Sequence, residues 1–350
     1  MKTIQDVDVK NKTVLVRTDY NVPVKNGKVE SDLRIRASLP TINYLLEHGA
    51  KRIILISHLG RPEGKLTPET TLSPVTKTLK KLLPDQTIGF YPLPEKNTKI
   101  PIPKEVKIAL LENLRTDPGE EANSKEFIQN IINAVDADLY VQDGFAVIHR
   151  AHASTDAVKS ILPIYAGLLL EKEIKNLESA IKNPKKPVLL IIGGAKVEDK
   201  QPLIDKFASQ ADYIFVGGKI AADGYKSTNE KIIVASDFDE NSAGDKLDVG
   251  PVSTTKLAEL IKDANTIIWN GLLGLAEDPA YATSSTIAAK LIGEKEDATT
   301  IICGGDTTGF VEHLQKTDKN LHYSLVSTGG GASLEFLLEK ELPGLKAISS

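Results

Sequence analysis

The stretch PVLLIIGGAKVEDK, residues 187–200, runs from an unbroken apolar segment into two glycines and two lysines. An apolar run without polar alternation reads as a parallel strand covered on both faces. Two glycines directly after such a strand let the backbone approach a phosphate closely. Yet neither of the two common phosphate loops is present. No Lys-Ser or Lys-Thr follows a glycine at the P-loop spacing, and no Gly-x-Gly-x-x-Gly run occurs in the chain. The loop type alone therefore leaves open what Lys196 and Lys200 hold.

Outward from this strand the same alternation fills the chain. TVLVR, RIILIS, VKIALL and DLYVQ read as strands in the first half. PVLLII, DYIFV, KIIVA, NTIIW, TTIIC and HYSLVS do so in the second. Amphipathic stretches separate them, among them RIRASLPTINYLLEHG, which Gly49 is placed to end. In SPVTKTLKKLL, Ser73 is expected to cap and Pro74 to take the first helical position. The pattern predicts an α/β chain of two doubly wound, Rossmann-like domains with parallel sheets, joined by a linking helix around a cleft. The expected bounds are 1–165 for the first domain, 166–183 for the linking helix and 184–335 for the second.

Composition narrows the function. The 350 residues are 41% hydrophobic and 26% charged, as in ordinary globular proteins, and are long enough for two cores. A net charge of −4 gives no general affinity for polyanions, so no nucleic-acid partner is expected. A single cysteine, Cys303, excludes an internal disulfide and a cysteine-based zinc cluster. The N-terminus lacks the apolar core of a signal peptide, and no apolar run approaches the ~20 residues of a membrane span. A cytoplasmic location and no membrane association are expected. All seven arginines lie within the first 150 residues. Guanidinium grips phosphate and carboxylate bidentately, whereas lysine acts as a point charge. An anion pocket confined to the first half is one reading; a bias of surface composition is the other.

Ligands in open α/β sheets bind beyond the carboxyl ends of the strands. RTDYN, SHLGR, LENLR, QDGF and HRAH follow first-half strands; GGAK, GGK, WNG, CGGD and STGGG follow second-half strands. The unusual polar and glycine clusters thus gather at one edge of each sheet. The first edge supplies Asp19, Asn21, Arg34, His58, Arg61, Arg115, His149, Arg150 and His152, a receptor for a small, multiply charged anion. The second offers two strand–glycine–helix junctions, each presenting backbone N–H groups and a positive helix end. Asp306 at such a junction either binds Mg²⁺ beside phosphates or caps the helix. Glu277 is a surface acid unless ribose hydroxyls lie near it, and Trp269 reads as core.

The motifs RTDYNVPVKNGKVESDLRIRASLPTI, SHLGRP, LLENLR, HRAHAST, GGAKVEDK, WNG, GGDT and STGGGASLEFLLEKELPG, in this order, resemble the phosphoglycerate kinase family over nearly the whole chain. The resemblance implies 3-phosphoglycerate or 1,3-bisphosphoglycerate on the arginine-rich domain and Mg²⁺ with ADP or ATP on the other. It also implies that the C-terminal residues 336–350 return to the first domain. Asp19, Asn21, Arg34, His58, Arg61, Arg115 and Arg150 fall on substrate-binding positions, with Arg34 and Lys196 catalytic. Gly193, Gly194, Lys196, Lys200, Gly217, Gly218, Asn270 and Glu277 fall on nucleotide positions. So do Gly304, Gly305, Asp306, Thr307, Gly329 and Gly330, with Asp306 serving the metal. A monomer is expected.

Departures fall mainly on the nucleotide side. The segment between Gly217 and Asp248 is shorter than usual by several dozen residues, and Lys219 replaces a third glycine. Leucines stand in WNGLLGLAE where Pro-Met is usual, Ala276 replaces an aromatic, and Cys303 replaces the first of three glycines. QDGFAVIHR is the variant stretch on the other side. A relative that binds these ligands but has lost turnover is the alternative reading.

Overall fold

The computed structural model describes residues 1–349. It holds two wholly parallel six-stranded sheets. The first contains β1 (Thr13–Arg17), β2 (Arg52–Ile56), β3 (Ile88–Tyr91), β4 (Ile108–Leu111), β5 (Leu139–Gln142) and β6 (Ile164–Ala166), in the order β3-β4-β2-β1-β5-β6. The second contains β7 (Val188–Ile192), β8 (Tyr213–Val216), β9 (Ile232–Val234), β10 (Thr266–Asn270), β11 (Thr299–Cys303) and β12 (Leu325–Val326). Its order is β9-β8-β7-β10-β11-β12, that of a dinucleotide-type doubly wound sheet. Strand order reverses where β1 meets β5 and where β7 meets β10.

Every residue of β1, β7 and β10 is buried, which is why their sequences lack alternation. Each buried Val, Leu or Ile contributes about 1.5–3 kcal/mol. Separate cores form around the two sheets, one containing Val14, Ile53 and Leu110, the other Ile191, Phe215 and Trp269. The chain divides into a unit of Met1–Lys172 joined by the segment from Glu341, and a unit of Glu173–Lys340. That division falls inside the helix Leu168–Lys182. No helix among the described residues is long and apolar enough to cross a membrane.

The start of that helix is fixed by a side chain of the helix Leu33–Glu47 and by one just past β5. Thr41 Oγ1 accepts from Leu168 N at 2.9 Å, and Asp143 Oδ1 accepts from Leu169 N at 3.0 Å. Burial pushes the Asp143 carboxyl up to about 7, against the lowering effect of its Thr41, Leu170 and Leu169 hydrogen bonds.

Gly49, at φ +75°, does follow the end of the helix Leu33–Glu47. Ser73 does not cap: it is the first residue of the helix Ser73–Leu82, behind Leu72, and Pro74 is the second. The capping acceptor is Glu112, arriving from the end of β4, which takes Leu72 N at 2.9 Å and the Thr71 hydroxyl at 2.7 Å. A buried carboxylate thus does what the local hydroxyl was expected to do. Two sheet strands, β3 and β6, were not among those expected, nor was the antiparallel hairpin of Phe238–Glu240 with Lys246–Val249.

Candidate functional site

At the carboxyl edge of the first sheet, β1 delivers Asp19 and β2 delivers His58, both buried. Arg34, from the first turn of the helix Leu33–Glu47, meets Asp19 Oδ2 at 2.8 Å and donates to Asn21 O at 3.0 Å. Asn21 Oδ1 accepts from Gly60 N at 2.9 Å, and Gly60 O accepts from Arg115 Nη1 at 3.0 Å. Arg115, Arg61 and Glu121 line a cavity of about 440 Å³. Arg150 Nε donates to His149 Nε2 at 3.2 Å.

Electrostatics ties these groups together. His58 lies well below the usual imidazole range because it is buried and faces Arg17, Arg115, Arg34 and Arg150. His152 falls to about 4 by burial and by Arg115, Arg17 and Arg150. Arg115 itself is lowered to about 10, first by burial and then by Arg150. Cations that suppress one another's charge form a field complementary to a compact anion. Arg61 is exposed at the rim of this group.

In the second unit a cavity of about 480 Å³ opens at the switch point between β7 and β10. Gly194, Lys196, Lys200, Gly218, Asn270 and Glu277 line it, as do Gly304, Gly305, Asp306 and Thr307. Lys200 is hydrogen-bonded to Asn270 Oδ1, and burial lowers its pKa. Lys196 differs: among the described residues it has no ion-pair or side-chain hydrogen-bond partner, and it lies exposed in the cavity wall. Glu277 and Asp306 also border a second cavity of about 550 Å³, with Leu272, Phe310 and His313.

The glycines separate into two kinds. A Cβ on Gly193 would fall 2.1 Å from Leu272 O, one on Gly217 2.8 Å from Leu273 Cδ2, and one on Gly218 2.8 Å from Leu272 O. These residues are small because three turns interlock there, and Gly193 and Gly217 do not line the cavity. Gly305, by contrast, has nothing within 4 Å of its Cβ position, and Gly330 has only Gly305 N at 3.7 Å. The fold does not require those two to be bare; close approach of a ligand to the helix starts at Gly305 and Gly330 would. Gly329 and Gly330 lie off the cavity lining. Gly329 N donates to Ser327 Oγ at 3.1 Å. Thr307 Oγ1 accepts from Gly271 N at 2.9 Å, so it braces a neighbouring turn.

Asp306 is the second residue of the helix Gly305–Thr317, where Gly304 occupies the cap position, so it does not cap. Among the described residues no three His, Cys, Asp or Glu side chains gather as a metal cluster. A lone carboxylate at a helix start suits Mg²⁺ only as a metal–phosphate complex, in which phosphate oxygens and water complete the coordination.

Sequence reading did not assign the wall formed by Phe238, Lys246, Leu247 and Leu275. Lys246 Nζ stands 4.8 Å from the centre of the Phe238 ring. A signal existed: FDENSAGDKLDV holds a glycine-containing turn between two short candidate strands, a hairpin pattern. Lys219, which also lines the cavity, pairs with Asp223 at 2.8 Å.

Two doubly wound sheets, one edged with guanidiniums and one with bare glycine turns, define an α/β protein that handles phosphorylated small molecules. The phosphoglycerate kinase family model matches residues 4–240 and 223–340. The phosphoglycerate kinase of Moorella thermoacetica is 39% identical, with 99% of this chain and 98% of that protein covered. Among solved structures, phosphoglycerate kinase from Coxiella burnetii is similar at 32% identity and a TM-score of 0.80, covering 99% of this chain and 98% of its own. The one from Pyrococcus horikoshii is similar at 27% identity and a TM-score of 0.85, covering 100% and 98%. The chain belongs to the phosphoglycerate kinase family, and is a phosphotransferase. The Moorella match spans 394 positions against 350 residues here, so at least 44 positions (394 less 350) have no counterpart in this chain. The two family-model matches overlap at 223–240, inside the segment read as shortened.

Proposed function

We propose that this chain moves a phosphoryl group reversibly between 1,3-bisphosphoglycerate and ADP, giving 3-phosphoglycerate and ATP. The observation that carries this reading is the uncommitted Lys196 ammonium beside the open start of the helix Gly305–Thr317. The bond broken joins the acyl oxygen to phosphorus, and the bond formed joins phosphorus to a β-phosphate oxygen of ADP. The carboxylate leaves already ionised, so no general base is needed. Catalysis then rests on positioning and on charge stabilisation of the equatorial oxygens.

Lys196 supplies that charge from the nucleotide side. Arg34, anchored through Nη1, keeps Nε and Nη2 for the substrate side. His58, Arg61, Arg115 and Arg150 hold phosphoglycerate, while Lys200, Asn270 and Glu277 serve the nucleotide. Mg²⁺, leaning on Asp306, would neutralise nucleotide phosphate charge. Transfer requires the two ligands to be brought together with water expelled, hence a hinge motion. We place the protein in the cytoplasm as a monomer.

A coupled assay with 1,3-bisphosphoglycerate and ADP tests the reading; absence of turnover would leave the ligand-binding relative. Lys196→Ala should lower kcat by about a hundredfold or more while changing ground-state affinities much less, because the charge acts mainly in the transition state. A variant that keeps most of its activity would remove Lys196 from the mechanism.

A further inference from the structure

Beneath the guanidinium patch lies an arginine that no step above uses. Arg17, the last residue of β1, is 1% exposed. Its Nε donates to Ser154 Oγ at 2.8 Å, its Nη1 to Thr18 O at 2.5 Å, and its Nη2 faces His58 Nδ1 at 3.3 Å. Glu120 Oε1, wholly buried, sits 3.9 Å from Nη2 and accepts from Ser154 Oγ at 2.6 Å. The guanidinium is thus held on several sides and cannot turn away from the imidazole.

We propose that Arg17 is a positioning residue that fixes His58 with Nδ1 as acceptor, so that the ring's one hydrogen sits on Nε2 and is what His58 offers to an anion. The reason is the donor inventory. A guanidinium has only N–H groups and stays charged, so a nitrogen facing it at hydrogen-bond distance must present a lone pair. The rival is Asp19, whose Oδ1 lies 3.9 Å from the same Nδ1 and would favour a hydrogen there. That separation is too long for a hydrogen bond, Oδ1 already accepts from Asn21 N at 3.1 Å, and Oδ2 meets Arg34 at 2.8 Å. The charged groups facing the ring are Arg17, Arg115, Arg34 and Arg150 against Asp19, a balance that also opposes a second proton. A ring so held keeps its donor on Nε2 while neutral, where a free neutral histidine shares its one hydrogen between the two nitrogens.

The consequence for phosphoglycerate rests on the proposed function; the position of the hydrogen does not. Nitrogen-15 correlation spectra of the ligand-free protein test it directly. His58 should show a protonated Nε2 and an unprotonated Nδ1, unchanged from about pH 8 to about pH 5. A hydrogen on Nδ1, or titration in the ordinary histidine range, overturns the proposal. Arg17→Met, which keeps the bulk and removes the donors, should let the Nδ1-protonated form appear and raise the KM for 3-phosphoglycerate about tenfold, the worth of one hydrogen bond to a charged group, with the KM for nucleotide unchanged. A variant that loses the Nε2–H form yet keeps its phosphoglycerate KM overturns the positioning role. If Arg17→Met does not fold, the wild-type spectrum decides alone. Failure of the wild type to turn over phosphoglycerate would sink the functional reading and leave the spectral result standing.

Discussion

A Cβ placed on Gly271 lies 2.2 Å from Gly193 O, and the residue holds φ +101°; at Gly305 the same atom meets nothing within 4 Å. Both belong to turns around one cavity, yet they answer to different demands. Gly271→Ala should destabilise the protein by about 3 kcal/mol or more through backbone collision and a left-handed φ. Gly305→Ala should leave stability within about 1 kcal/mol, since alanine is the better helix former, but should weaken nucleotide binding. Denaturant melts and calorimetry on both variants check this; equal destabilisation would show that the open space at Gly305 is illusory. Asp143 gives a second residue-scale expectation. Its folded pKa, about 7, lies above the usual carboxylate range, so the native state binds the extra proton. Its contribution is fully present below about pH 4 and is lost as pH rises toward 7. Asp143→Asn should flatten that part of the stability-versus-pH curve, and an unchanged slope would count against the buried carboxyl as its source.

At the level of elements, ten of the twelve sheet strands were legible, down to the two-residue Leu325–Val326, and β3 and β6 were not. β1, β7 and β10 announce themselves as apolar runs bounded by glycine or charge. Ile88–Tyr91 carries Gly89 within it, and Ile164–Ala166 lies between Pro163 and Gly167, so turn residues interrupt or hem both apolar runs. The Ser73 cap failed for another reason: the competing acceptor, Glu112, lies 40 residues from Leu72 in sequence, and no local pattern reveals it. The hairpin of Phe238–Glu240 with Lys246–Val249 lies in the shortened segment and lines the cavity of the second unit. An aromatic ring stacks on any base with little discrimination. Phe238→Ala should raise the KM for ADP about tenfold, the worth of roughly 60 Å² of apolar cover. GDP and IDP should support turnover within about an order of magnitude of ADP. Steady-state constants for the three nucleotides decide it, and strong rejection of GDP would mean that other groups read the base.

Across the whole molecule, charge chemistry is divided as the sequence divides it. Every arginine lies in the first 150 residues, and the groups that suppress His58 and His152 are drawn from them. Arg150→Ala should therefore weaken phosphoglycerate binding and leave nucleotide binding nearly untouched, and Arg150→Lys should restore little of it. Calorimetric titration of each ligand checks this; parallel losses would mean the halves are not so partitioned. The partition was visible in composition alone. What composition hid was depth: Arg17 is indistinguishable from its neighbours in sequence, yet it is buried and faces His58 rather than solvent.

The one thiol of the chain lies behind Asn270, which lines the cavity of the second unit. Cys303 is buried, takes a hydrogen bond from Asn270 Nδ2 at 3.3 Å, and is pushed up to about 11 by burial. A disulfide reagent can reach it only when the turns above it part. Its labelling rate is then a stopwatch for that local opening, with no competing thiol to blur the reading. Ligands that seal the turns should slow it by the factor through which they stabilise the closed form, one plus concentration over Kd. A nucleotide's hold on these turns becomes readable as colour released per minute, without any turnover at all.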